Sequence, residues 1–329
     1  MNKISVFSNP GPVLVLFILS PVIAELLFGS TPVSRSYQLI MESLYYGSGA
    51  VLIREFARRH NMGWLSIITL GIGFGILEEC LTLQSAFNPD FLGNNVSYGR
   101  SFGVNWVWGM CIVGYHSIWS ISIPILFTEL LFPKLHDLPW LGRTGSGILL
   151  VLFILTSVAF YTFFYRISGF RTSFIHVLIS AILAAGLAIS SLWLPVSPRH
   201  HGYFKRSPSF LAGVISFLAS ACWFGLLFLV FRPNSGVKPW LAELAGVLLI
   251  VVVVFLFLSW SEENWNINHR FFLACGCLYA SMLFGLNTLS HSHVRSDFYF
   301  QISLIIVVTL LLIGFKRRFL LKNIENQSA

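Results

Sequence analysis

The residues of this sequence that could do chemistry are the few ionisable side chains lying inside long apolar runs. Among 13 acidic residues these are Glu25, Glu42, Glu78, Glu79 and Glu129; among nine histidines they are His116 and His176. An ionisable group at the centre of a spanning helix costs about 2.5–3.5 kcal/mol on insertion scales, so one that persists there is a candidate for function. The adjacent pair Glu78-Glu79 is the strongest signal. Two carboxylates this close in a low dielectric cannot both ionise cheaply, which suits one of them to taking and returning a proton of water. Neighbours on an α-helix point about 100° apart, so the two are not expected to face one partner equally.

Depth allows the histidines to join the pair. Glu79 lies roughly 10 Å inside the end of its apolar run, at 1.5 Å per residue. His116 lies roughly 12 Å below Trp108, and His176 roughly 6 Å below the start of its own run. Asn105 and His116 are separated by about three turns and share a helix face, which Ser120 continues one turn deeper. Glu78, Glu79, His116 and His176 are therefore the candidate catalytic residues, with Asn105, Ser120 and Glu42 in support. Glu79, His116 and His176 together could hold a divalent metal such as zinc with an open position; a metal-free site is equally compatible with the residues. Glu42 precedes Tyr45, Tyr46, Gly47 and Gly49 and is expected at a helix contact, hydrogen-bonded to a tyrosine. Glu25 and Glu129 sit near run ends, where a carboxylate reaches water, and read as structural. His291 and His293 read as a solvated loop.

The elements that position these residues follow from composition. The chain has 329 residues, of which 56% are hydrophobic and only 10% charged, with a mean hydropathy of +0.76. Soluble proteins carry about 25% charged residues. A water-soluble enzyme, a disordered chain and a disulfide scaffold are excluded, and lipid must solvate most of the molecule. The net charge of +8 does not indicate nucleic acid, because the basic residues fall between apolar runs with no basic-aromatic platform. The five cysteines all lie in apolar runs and read as packing residues.

Apolar runs of roughly 20 residues predict an all-α bundle of about ten spanning helices. They fall near 11–29, 37–56, 63–86, 104–132, 146–165, 172–194, 208–231, 239–260, 270–287 and 299–318. With the N-terminus inside, inner segments hold twice as many basic residues as outer ones, which predicts both termini in the cytoplasm. Trp106, Trp108, Trp140, Trp193, Trp240, Trp260 and Trp265 lie near span ends and are expected at the lipid headgroups. No linker divides the chain, so residues 1–329 read as one integral membrane domain. Gly71 and Gly75, one turn apart, predict a close helix contact beside the glutamate pair.

The order Glu-Glu, then His, then His resembles the CaaX-protease and bacteriocin-processing family of intramembrane endopeptidases over roughly residues 63–195. The matching stretches are Glu78-Glu79-Cys80-Leu81-Thr82-Leu83, Ile112-x-x-x-His116 and His176-x-x-x-Ser180. Leu83, Ile112 and Ser180 replace that family's Arg, Phe and Asn. The segments Tyr46–Glu55, Asn105–Trp108 and Tyr115–Ser120 are similar to an uncharacterised bacterial membrane-protein family, which implies a multi-pass protein of the inner or plasma membrane. The endopeptidase resemblance implies that Glu78 or Glu79 activates water while His116 and His176 assist. A membrane-embedded peptide or small molecule would be the substrate, and membrane lipid the constant partner. A transporter with a buried Glu/His relay and a non-catalytic membrane protein are the alternatives.

Overall fold

A computed structural model describes residues 8–197, 207–232, 234–260 and 265–317. Lys3, Arg199, Lys205, Arg206, Arg318 and Lys322, all counted toward the orientation, lie outside the described residues. Ten helices follow the apolar runs: α1 (Pro10–Leu26), α2 (residues 38–59), α3 (Trp64–Thr82), α4 (Trp106–Leu131), α5 (Arg143–Ser168), α6 (Phe174–Trp193), α7 (Ser209–Val230), α8 (Pro239–Leu258), α9 (Ile267–Ser290) and α10 (Arg295–Phe315). The last eight are long and apolar enough to cross a membrane. The α2 helix is long enough but carries Arg54, Glu55, Arg58 and Arg59 at its end, where charge pairs make their burial tolerable.

Local sequence sets the helix ends. Pro10 opens α1 and Pro239 opens α8, at first-turn positions where the missing N–H costs nothing. Ser173 caps α6, and Asn266 caps α9 through the backbone N–H groups of Asn268 and His269. Gly169 ends α5 with φ at 64°, a left-handed conformation suited to glycine.

The bundle is organised around α4. In its most apolar window 78% of the residues are buried, against 11% in α5 and α8 and 6% in α10. The α4 helix packs on α1, α3, α7, α8 and α9, while α5, α6 and α10 lie at the periphery. Peripheral helices can be apolar all round because lipid accepts every face. The interior helices instead meet through small residues. A Cβ on Gly71 would come 2.9 Å from Ser117 Cα, and one on Gly75 would come 2.9 Å from the Val113 carbonyl and 3.3 Å from His116 Cβ. The expected Gly71/Gly75 face is thus what lets α3 lie against the His116 segment of α4.

Between α3 and α4 the chain forms a cap of two short hairpins. In the first, β1 (Asp90–Phe91) pairs antiparallel with β2 (Asn94–Asn95), Asp90 opposite Asn95. In the second, β3 (Arg100–Ser101) pairs with β4 (Val104–Asn105), Arg100 opposite Asn105. The tryptophans divide into two groups. Trp106, Trp193 and Trp240 are exposed as expected, but Trp108, Trp140 and Trp260 are buried. Trp108 and Trp140 turn inward, where their indole N–H groups have partners, Ser85 Oγ at 2.8 Å and the Leu135 carbonyl at 2.9 Å. The five cysteines are all free.

Candidate functional site

The local backbone of α1–α4 departs from a regular helix at four places, and each carries ionisable or hydroxyl side chains of the site. A π turn bonds N–H to the carbonyl five residues back and inserts one residue, which turns the following side chains to a new direction. The four are Val22–Leu26 with Glu25, Ser43–Gly47 with Tyr45 and Tyr46, Leu77–Thr82 with Glu78 and Glu79, and His116–Ser122 with His116 and Ser120. The wide turns are visible in the bonds Leu27 N–H to the Val22 carbonyl at 2.8 Å and Leu83 N–H to the Glu78 carbonyl at 2.7 Å.

These turns converge on one imidazole. His116 Nε2 lies 2.8 Å from Glu79 Oε1, and His116 Nδ1 lies 3.1 Å from Glu78 Oε2 and 3.0 Å from Ser120 Oγ. Both glutamates therefore meet the same ring, contrary to the expectation from a regular helix. The π turn re-aims the pair, and an imidazole offers a nitrogen on either edge. Tyr46 donates to Glu78 Oε1 at 2.5 Å, and Ser85 donates to Glu79 Oε2 while accepting from the Trp108 indole. All three central residues are buried, at 1–3% exposure. Aromatic rings of Tyr46, Phe74 and Tyr115 surround His116 with centroids 5.5–6.3 Å away.

Glu25 extends the site toward the chain segment after α1. It is half-buried, accepts from Ser30 Oγ at 2.5 Å, and interacts with Tyr46, Glu79 and His116. Beyond it stands Glu42, which interacts with Glu25 and accepts from Thr31 Oγ1 at 2.6 Å. The expected tyrosine partner of Glu42 is thus replaced by Thr31; Tyr46 turns the other way, to Glu78, because its own π turn separates it from Glu42. Tyr46, Ser85 and Glu25 were not picked out by sequence reasoning as site members. Only Glu25 carried a signal, as an acid within an apolar run.

His176 is held elsewhere. Its Nε2 bonds the Phe102 carbonyl at 3.1 Å, its Nδ1 faces the hydroxyls of Thr172 and Ser173, and its ring stacks on Phe87 at 4.7 Å. It clamps the tip of the second hairpin to α6. Asn105 also serves the cap rather than the imidazole. It precedes the first turn of α4 and donates to the carbonyls of Ser85 and Asn88 at 3.0 and 2.7 Å, while Arg100 donates to its Oδ1. Ser120 is where the helical spacing put it, on the His116 ring. Among the described residues, the group of possible metal ligands is Glu78, Glu79 and His116, with ligand atoms all within 4.8 Å of one another. His176 is outside it, and His291 and His293 are exposed.

Glu129 is structural, as expected, but through ion pairs rather than water. It takes Arg54 Nε at 3.2 Å and the Arg58 fork at 2.8 and 2.7 Å.

Residues 14–200 of the chain match a family described as an uncharacterized membrane protein family. The chain belongs to that family. The matched region holds most of α1, all of α2–α6, the cap and every residue of the Glu–His cluster. With eight long apolar helices among the described residues, the protein is a multi-pass membrane protein. No curated protein and no solved structure matches the chain. Nothing in the family match supports the endopeptidase resemblance or a bacterial origin.

Proposed function

We propose that the protein is an intramembrane hydrolase whose Glu78–Glu79–His116 centre activates water against a carbonyl of a membrane-embedded substrate. The observation that supports this reading is the His116 ring held between two buried carboxylates at hydrogen-bonding distance. Glu79, bonded to His116 Nε2, accepts a proton from water as the water attacks. Glu79 passes that proton across its hydrogen bond to His116 Nε2, and the imidazolium so formed stands beside the developing oxyanion and gives the same proton to the leaving group. Tyr46 and Ser85 orient the two carboxylates, leaving the imidazole between them. Glu25, bonded to exposed Ser30, marks the side from which water would reach the centre.

Purified protein in lipid nanodiscs, incubated in ¹⁸O-water with a panel of single-span peptides, provides the test. Mass spectrometry is expected to find new C-termini carrying ¹⁸O, and Glu79→Gln and His116→Ala are expected to abolish them. Peptides left intact by the wild type, or cut equally by Glu79→Gln, would overturn the proposal. A second reading draws on the acidic row Glu42, Glu25, Glu79, which also suits a proton or cation relay. Proton flux into liposomes under an imposed pH gradient, lost in Glu25→Gln, would favour that relay.

A further inference from the structure

The charges and donors around His116 do not balance. With both carboxylates ionised, Glu78 and Glu79 exceed even a doubly protonated imidazole by one negative charge, and an ionised Glu25 adds another nearby. Among the described residues no Lys or Arg forms an ion pair with these carboxylates; the arginines of the interior pair with Glu55 and Glu129 instead. Hydroxyls of Tyr46, Ser85 and Ser30 supply hydrogen bonds but no charge. An uncompensated anion in a low dielectric is costly, and buried charges are normally paired or coordinate a metal.

One atom records the deficit. Glu78 Oε2 is buried and accepts no hydrogen bond. It comes within 3.1 Å of His116 Nδ1, but that nitrogen is aligned with Ser120 Oγ at 3.0 Å. An oxygen of Glu78, an oxygen of Glu79 and a ring nitrogen of His116 lie within 4.8 Å of one another, close enough to share one ligand.

We propose that Glu78, Glu79 and His116 bind one divalent transition-metal cation. The inference rests on the hydrolase reading of this centre and deepens it: a cation bound there would supply the positive charge beside the oxyanion in place of a protonated imidazole. Two carboxylate oxygens and one imidazole nitrogen form a hard-to-borderline donor set that suits Zn²⁺, Mn²⁺ or Fe²⁺ and disfavours soft ions. Three protein ligands leave further coordination positions to water, the pattern of reactive rather than closed structural sites. The second nitrogen of His116 keeps a hydrogen-bond partner whichever nitrogen ligates, which fixes the ring as it is fixed in established imidazole sites. Tyr46 and Ser85 do the same for the carboxylates. The set differs from the one expected from sequence, with Glu78 in place of His176.

Full-length protein is stripped with chelator in detergent micelles and titrated with Zn²⁺ and Mn²⁺ alone, binding being followed by calorimetry and by metal content after desalting. One equivalent is expected. Affinity is expected to fall at least about 100-fold in His116→Ala and Glu78→Gln, and by less than about threefold in His176→Ala. To separate lost binding from lost folding, gel filtration and far-ultraviolet circular dichroism are run on each variant, and the metal-induced rise in thermal midpoint is measured on the wild type as well. Less than a tenth of an equivalent on folded wild type, binding unchanged in both His116→Ala and Glu78→Gln, or binding lost with His176→Ala would each overturn the inference. Bound metal without peptide cleavage would sink the hydrolase reading and leave this one standing. Cleavage by a folded wild type that takes up less than a tenth of an equivalent of metal would do the reverse.

Discussion

Two buried charge clusters stand at opposite ends of α3, and they are built on opposite principles. At one end Arg54, Arg58 and Arg59 meet Glu55 and Glu129, so cations exceed anions. The surplus is absorbed by backbone. Arg54 donates to the carbonyls of Leu135, His136 and Leu138 and lies 3.5 Å over the Trp140 ring, Arg58 donates to Met62 O, and Arg59 to Leu141 O. Glu55 in turn accepts the N–H groups of Trp140 and Leu141. At the other end, thirteen residues from Glu129 along α4 and so roughly 20 Å away, acids exceed cations and one carboxylate oxygen accepts nothing. A charge surplus met by carbonyl dipoles locks a loop in place. A carboxylate surplus that no Arg or Lys among the described residues meets marks a place for a cation from outside.

That contrast can be broken by mutation, most forcefully at Glu129. Replacing it with alanine strands two guanidinium groups, and breaking a buried pair in this way costs about 3–5 kcal/mol. Unfolding in mixed micelles should show that loss; one below about 1 kcal/mol would erase the distinction between the clusters. Arg54→Lys comes next. A lysine keeps the charge but cannot reach Glu129 and three carbonyls with one ammonium, so about 1–3 kcal/mol should disappear from the same measurement. Gly75→Ala should cost a similar or slightly smaller amount, since the new methyl overpacks the contact with Val113 and His116. It sharpens the comparison because cleavage and metal affinity should fall with it, whereas Arg54→Lys should leave metal affinity alone. The smallest stability effect is expected for Glu79→Gln, within about 1 kcal/mol of wild type, while activity falls by about 10²–10⁴, the usual contribution of a general base. A large destabilisation by Glu79→Gln would return that residue to the structural class.

Most of the architecture was legible in the residues. Runs of apolar side chains declared ten helices, and the two that fall short in the structure, α1 and α2, do so for visible reasons: α1 is 17 residues long, and α2 ends in charged residues. Gly71 and Gly75 declared the α3–α4 contact. The Glu78, Glu79 and His116 set was legible from the cost of burying ionisable groups, and Ser120 from helical spacing. His176 and Asn105 share the depth and periodicity of that set but went to the cap. Depth along a helix is a single coordinate, and rotation and tilt, which decide convergence, depend on neighbours far away in the chain.

By itself, then, the sequence determined that lipid is the solvent, where the chain crosses it, and which polar side chains need a reason to be there. These follow from transfer free energies summed over local stretches, which do not depend on the partners of each helix. Tertiary structure decided which polar groups meet. Four π turns rotated Glu25, Tyr46, Glu78, Glu79 and His116 toward one another, and a glycine contact brought α3 close enough for two adjacent glutamates to share one ring. A π turn costs hydrogen-bond geometry that is repaid only by packing against other helices, so no local stretch of residues announces it.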